Sequence, residues 1–203
     1  MCCKYLKHER PRLSWNEGFI LDAFRFVFWL VSRISLFSII KCIVDDKISR
    51  KWQYRIVDSY ILVFAILELI MFIIVALNPT ANLNCLALKC FIAYRLLDIF
   101  QIWIRHFVLP DWNPISTSRT LILVGIGYFE IIILYSLLVF MLKDDFIGIT
   151  YFKEAFLYSI GNAITIGSGI RPEEPFGYVI LVTQIMFVLL FLTAVVSRII
   201  GRK

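Results

Sequence analysis

The residues best suited to chemistry form one short run near the C-terminal end of the chain: Thr165, Ile166, Gly167, Ser168 and Gly169. Glycine adopts positive φ at little cost, so the two glycines let consecutive carbonyl groups turn to one side. At membrane depth, backbone outside regular structure survives only where it is buried in protein or lines a water-filled path. A row of carbonyl oxygens can replace the hydration shell of a cation. The run therefore predicts cation coordination by peptide oxygens.

The elements around this run must hold it between helices. An apolar helix is predicted over residues 119–142, followed by a short amphipathic helix over 151–164. A second long apolar helix is predicted over 176–200, directly after a polar return loop. The short helix is too short to cross a bilayer, which requires about 20 apolar residues. The pattern predicts a re-entrant segment between two spanning helices.

In this context the run resembles the filter of the tetrameric potassium-channel family, whose pore module has an outer helix, a pore helix, a filter and an inner helix. The resemblance covers 119–202, less than half of the chain. It implies that carbonyls of Thr165, Ile166, Gly167 and Ser168 line the ion path and that Thr165 supplies the innermost site. Gly177 also stands where the family often has a glycine.

Three positions depart from the family's pattern. Ser168 replaces the aromatic residue usual between the two glycines, Ile170 replaces the acid usual after the second, and Ile164 replaces the usual Thr or Ser before the filter. The change at Ser168 removes an aromatic side chain that braces the filter against the pore helix. The sequence therefore supports pore architecture better than strict potassium selectivity.

Composition places the whole chain in a membrane. Sixty per cent of the residues are hydrophobic and the mean hydropathy is +0.81, outside the range of soluble domains. The net charge of +6 falls between the apolar runs, which is typical of cytoplasmic loops and not of a nucleic-acid surface. There is no nucleophile–base set, no phosphate-binding loop and no Cys/His metal spacing in the sequence, so we expect no enzymatic activity.

The first half of the chain supplies further helices. A basic N-terminus over 1–18 precedes an amphipathic segment over 19–44, which either spans the bilayer or lies in its interface; the basic flanks favour the interface. Spanning helices are predicted over 57–77 and 86–109, completing an N-terminal membrane region over 19–118. Topology follows from the basic loop 45–56, which the positive-inside rule places in the cytoplasm.

Four charged residues interrupt the predicted helices: Glu68, Arg95, Asp98 and Glu130. A charge at the centre of a membrane helix costs about 2.5–3.5 kcal/mol on insertion scales, so each needs a partner. Arg95 and Asp98 are three residues apart and can pair along one helix, and Glu68 could meet Arg95 or Arg33 across a bundle. A proton or voltage sensor is one interpretation, and a structural network of membrane ion pairs is the favoured one.

The last helix carries a candidate pore-lining stripe: Thr183, Val188, Leu192 and Val196. Its lower half is apolar, which would suit a gate that closes by dewetting. The alternative is that these residues face lipid or other helices.

Together these features predict an all-α membrane protein, with a tetrameric cation-channel pore over 119–203 preceded by two spanning helices and an amphipathic helix. The predicted function is passive conduction of monovalent cations, potassium by resemblance, at a homotetramer axis. Rival hypotheses are a non-conducting regulatory subunit or membrane-disrupting effector, a small transporter, and a membrane scaffold. We expect no cofactor and no metal beyond permeant K⁺ or Na⁺. Expected partners are further copies, the lipid of a plasma or bacterial inner membrane, and a gating protein, but no nucleic acid.

Overall fold

The computed structural model of the chain describes residues 50–78, 86–108 and 117–200. The predicted N-terminus, 1–18, and amphipathic segment, 19–44, lie outside the described residues. The chain divides into two compact units, 1–63 and 64–203. The contacts between helices and the candidate site all lie within the second unit.

The described residues are mostly helical, which confirms the coarse prediction of a helical fold. In chain order the helices are α1, Arg50–Leu77; α2, Leu86–Val108; α3, Thr117–Met141; α4, Phe152–Ala163; and α5, Pro175–Ile200. The helix α1 begins before the predicted range 57–77, because the polar turn ahead of the apolar run is also helical.

Three helices in the described part of the chain are long and apolar enough to cross a membrane. Their apolar stretches are Asp58–Leu77, Ile122–Met141 and Pro175–Thr193. The helix α2 has 23 residues, about 34 Å at 1.5 Å per residue, and so has sufficient length. It is not among the three apolar helices because it is more highly charged; the sequence places Lys89, Arg95, Asp98 and Arg105 in it. That α2 crosses the membrane therefore stays a prediction.

The helix α3 lies at the centre of the second unit and packs against α2, α4 and α5. Its Ile131, Leu134 and Leu137 are fully buried, and so is its neighbour Tyr135. A helix that is apolar on all sides needs burial on all sides, in protein or in lipid. Phe72 of α1 joins the same core, with its ring edge-on to Phe152 and Phe156 of α4 at centroid distances of 5.0 and 4.9 Å.

A short β-ladder joins the residues that precede α4 to the residues that follow it. Strand β1, Phe146–Ile147, pairs antiparallel with strand β2, Arg171–Pro172. Just before β1, the carbonyl oxygen of Asp145 accepts hydrogen bonds from the backbone amides of Glu173, at 2.8 Å, and Glu174, at 3.3 Å. The ladder therefore holds Phe146 next to Pro172, so the segment that contains α4 begins and ends at the same place, between the end of α3 and the start of α5. Strands of two residues carry too short a pattern to be predicted from sequence.

Gly177, in the first turn of α5, packs directly against the backbone of Asp145 and against Pro172. A Cβ added at Gly177 would lie 2.9 Å from the carbonyl oxygen of Asp145 and 3.0 Å from Cβ of Pro172. The first distance is shorter than real Cβ contacts and the second is tighter than most of them, so a side chain at this position would require the backbone to shift.

We predict that Gly177→Ala lowers the free energy of unfolding by about 1–3 kcal/mol, because the added methyl group overpacks a fixed contact and pushes α5 away from Asp145 and Pro172. Thermal unfolding in detergent micelles measures it. The control is Gly125→Ala in α3, where an added Cβ meets nothing within 4 Å and alanine should stabilise the helix by about 0.5–1 kcal/mol. Equal stability of the two variants would contradict the close approach.

Candidate functional site

The start of α4 is fixed by a carboxylate. The backbone amides of Tyr151, at 2.9 Å, and Thr150 donate to Oε2 of Glu154. The Tyr151 amide, with that of Thr150, holds the pKa of Glu154 below its ordinary value. Because the pKa is lowered on folding, this stabilisation is complete at neutral pH and is lost only as pH falls through the lowered value. Tyr151 is the N-cap, and the helix begins at Phe152.

The helix α4 ends at Ala163, and residues 164–170 continue without helical structure. The amide of Thr165 donates to the carbonyl of Asn162 at 3.2 Å, and that of Ile166 donates to the carbonyl of Gly161 at 3.0 Å. These two bonds form a Schellman motif, with the left-handed residue just after the helix. Glycine usually fills that position, but here Thr165 does, with φ of 60°. A β-branched residue in this conformation is strained, by about 1–2 kcal/mol.

The next residues fold back over the last turn of α4. The amide of Gly167 also donates to the carbonyl of Gly161, at 3.2 Å, and Gly167 has φ of +76°. A Cβ added at Gly161 would lie 2.7 Å from the carbonyl oxygen of Gly167. That oxygen therefore lies against the helix. Ser168 lies near the same place, and its buried Oγ has no hydrogen-bond partner among the described residues.

Side chains of α3 hold the end of α4 from one side. The hydroxyl of Tyr128 donates to the carbonyl of Ala163 at 2.6 Å, and Oγ of Ser159 donates to the carbonyl of Ile132 at 2.9 Å. The ring of Tyr128 stacks on Phe191 of α5 at a centroid distance of 4.3 Å. With the amide of Ile164 donating to Ile160 at 2.9 Å, each of the last four carbonyls of α4 has a donor from this chain.

A single glutamine holds α4 from the side of α5. Nε2 of the fully buried Gln184 donates to the carbonyl oxygen of Ser159 at 2.8 Å and to its Oγ at 2.9 Å. Nδ2 of Asn162 donates to Oε1 of Gln184 at 3.4 Å. No sequence pattern singled out Gln184, Ser159, Tyr128 or Gly161. Gln184 did carry a signal, because it is an amide inside an apolar spanning stretch and such residues need a partner.

Most of the 164–170 segment stays exposed on the surface of the single chain. The side chains of Ile164, Ile166 and Thr165 are exposed in the single chain, Ile166 at 79%. Gly167 and Gly169 are also exposed, and an added Cβ at either would meet nothing within 4 Å. The described residues contain no group of three or more His, Cys, Asp or Glu side chains that could hold a metal ion. Peptide oxygens and the Thr165 hydroxyl are the ligands that this site can offer a cation.

The residues of the predicted pore-lining stripe do not all lie on one face of α5. Thr183 and Leu192 are exposed, whereas Val188 is only 2% exposed and packs with Ile132 and Ala163. Val188 therefore packs inside the single chain in this structure, and the pore-lining role of the stripe stays a prediction. Thr183 and Val188 differ in exposure because five residues separate them, about 140° around an α-helix with 3.6 residues per turn. Val196 lies in α5, and its side chain is outside the described residues.

The four charged residues singled out in the sequence come together at a different place. Arg95 on α2 makes salt bridges with Glu68 on α1, Asp98 on α2 and Glu130 on α3. All four side chains are buried. This cluster and the 164–170 segment are separate features of the same unit.

We predict that Gly161→Ala detaches the 164–170 segment from α4, because the new methyl group occupies the position of the Gly167 carbonyl. Stability should fall by about 1–3 kcal/mol, and hydrogen exchange at the amides of Ile166 and Gly167 should accelerate. The matched control, Gly125→Ala, should change neither exchange rate. Unchanged protection of both amides in Gly161→Ala would show that the close approach is absent.

We predict that Thr165→Gly stabilises the protein by about 0.5–1 kcal/mol, since glycine relieves the strain of positive φ while adding some conformational entropy to the unfolded chain. The control is Thr183→Gly within α5, which should lower stability by a similar amount. Chemical denaturation of both variants measures the difference. Destabilisation by Thr165→Gly would mean that its left-handed backbone is not strained.

The comparisons with known proteins return no relatives. No protein-family model matches the chain, and no curated protein and no solved structure matches it either. The resemblance carried by residues 165–169 therefore stands on those residues and on the helices around them.

Proposed function

We propose that the chain is one subunit of a membrane channel that conducts monovalent cations, potassium in preference, along an axis shared by four copies. Residues 165–169 of each copy supply the oxygen ligands at that axis. Ions exchange their water for peptide oxygens there and move without a coupled energy source. The channel lies in a plasma membrane or a bacterial inner membrane, and its gating comes from the helix bundle, lipid or a partner protein.

One observation carries this proposal: the 164–170 segment is non-helical and exposed in the single chain, between two helices apolar enough to cross a membrane. Exposed backbone of this kind cannot face lipid, because unsatisfied peptide groups there cost several kcal/mol each. Further copies of the chain and a water-filled path are the environments that remain. Both are supplied at the axis of a tetrameric pore.

The way α4 is anchored supports the same proposal. Tyr128 and Gln184 fix the end of the helix to α3 and α5 without using the exposed side of the 164–170 segment. The segment is therefore held by side chains of α3 and α5 on the side opposite to its exposed surface. Precise placement of ligands requires this kind of support from packed helices. The lowered pKa of Glu154 keeps a negative charge at the opposite, N-terminal end of α4, where it is favourable to the helix dipole.

A second candidate, a channel-like subunit that does not conduct alone, is favoured by the carbonyl of Gly167. This oxygen lies against Gly161 and would have to turn away from the helix to meet an ion. A regulatory subunit with this geometry would assemble without conducting. A membrane-disrupting effector would instead release large solutes.

Purified protein in liposomes separates these functions. With potassium inside and sodium outside, the proposal predicts a cation current that reverses near the potassium equilibrium potential, with a trapped fluorescent dye retained. Gly167→Ala should reduce the current at least tenfold, since φ of +76° strains any residue with a side chain. Gly125→Ala should conduct like the unmodified chain.

Three outcomes would overturn the proposal. Intact tetramers that pass no current would favour the non-conducting subunit. Release of the trapped dye would favour membrane disruption. A current that Gly167→Ala leaves unchanged would place the conduction path elsewhere in the protein.

A further inference from the structure

The buried guanidinium of Arg95 is surrounded by three carboxyl groups from three helices. Its Nε donates to Oε1 of Glu68 at 2.9 Å, Nη1 donates to Oδ2 of Asp98 at 2.8 Å, and Nη2 donates to both carboxyl oxygens of Glu130 at 2.9 Å. The ring of Phe64 covers the guanidinium, 4.7 Å from Cζ to the ring centroid. The side chains of this cluster are at most 3% exposed, so water does not reach it from the surface of the chain.

Two members of the cluster lie near the middle of apolar stretches long enough to cross a membrane. Glu68 is near the middle of the stretch Asp58–Leu77, and Glu130 is near the middle of Ile122–Met141. An uncompensated charge is most costly at this depth, because neither solvent nor lipid headgroups can screen it.

Among the residues that the structure describes, the charges within the cluster do not balance. Three ionised carboxylates around one guanidinium leave two excess negative charges. Even if the charge of Asp98 is balanced elsewhere, Glu68 and Glu130 still share a single guanidinium. The other carboxyl oxygen of Glu68, Oε2, is buried and has no hydrogen-bond partner among the described residues, although Glu68 itself is 0% exposed. A bare carboxylate oxygen in such a place is among the least favourable groups in a folded protein.

We propose that this cluster is a proton-binding site, with the proton held on Oε2 of Glu68 at neutral pH. The proton removes one excess negative charge at the atom that no donor reaches. Glu68 keeps its hydrogen bond from Arg95 through Oε1, so the protonated form fits the observed geometry without rearrangement.

Glu68 is the site of this proton because its neighbours are better compensated. Glu130 uses both oxygens on Arg95, whereas Glu68 uses one. Among the described residues, the charged groups that act on Glu68 are Arg95 from α2 and Glu130 from α3. Arg95 favours ionisation of Glu68, and Glu130 opposes it.

The site makes the helix bundle sensitive to protons. Release transfers H⁺ from Oε2 to water and leaves a negative charge on Glu68, which repels Glu130 across the boundary between α1 and α3. The charged form then needs either a wider bundle or water inside it. This inference is independent of conduction, because it concerns the charges of the bundle and not the 164–170 segment.

Infrared spectroscopy of the full-length protein in lipid tests the site directly. A protonated buried carboxyl group gives a carbonyl stretching band distinct from those of carboxylates and amides. We expect this band at neutral pH, its disappearance as pH is raised, and its absence from Glu68→Gln at every pH. The glutamine mimics the protonated acid, so Glu68→Gln should fold with unchanged thermal stability at neutral pH.

Two further variants locate the proton. Glu130→Gln removes a like charge and should lower the pH at which the band disappears by about 1–3 pH units. Glu154→Gln replaces a glutamate that lies outside the cluster and should leave the band unchanged. A spectrum without the band at neutral pH, or a band that survives in Glu68→Gln and is lost in Glu130→Gln, would overturn the assignment.

Discussion

Peptide groups that leave helical geometry between two apolar helices must find hydrogen-bond partners inside the protein, since lipid offers none. The last four carbonyl groups of α4 meet this constraint. The backbone of residues 164–167 returns to the last turn of the helix, and the hydroxyl of Tyr128 takes the carbonyl that remains. Gly161 makes the return possible, because only a residue without Cβ leaves room for the carbonyl of Gly167.

A few polar side chains connect this turn to the neighbouring helices. Gln184 connects α5 to Ser159 of α4, and Ser159 connects in turn to the backbone of α3. A displacement of α5 would therefore act on the same turn that positions the 164–170 segment. The charged cluster at Arg95 joins α1, α2 and α3 instead.

The sequence was sufficient for some of these features and insufficient for others, for physical reasons. Apolar length located the three helices able to cross a membrane, and the glycine-rich run indicated where helical structure stops. The close approach of Gly161 to Gly167 depends on a Schellman turn whose left-handed residue is a threonine, which local propensity does not predict. The packing of Val188 against Ile132 and Ala163 could not be read from apolar character alone, because that character does not give the rotation between positions 183 and 188. The ladder of β1 and β2 is too short to leave a pattern.

The most direct test of a shared axis measures distances between copies of the chain at the exposed segment. A spin label on Ile166→Cys, in a chain whose native cysteines are replaced, reports those distances by double electron–electron resonance in lipid. A fourfold pore predicts two short distances related as the side and diagonal of a square. A label on Leu69→Cys, exposed on α1, should give much longer ones. Labels at Ile166→Cys that show no intermolecular distance, or none shorter than at Leu69→Cys, would contradict an axial position for residues 165–169.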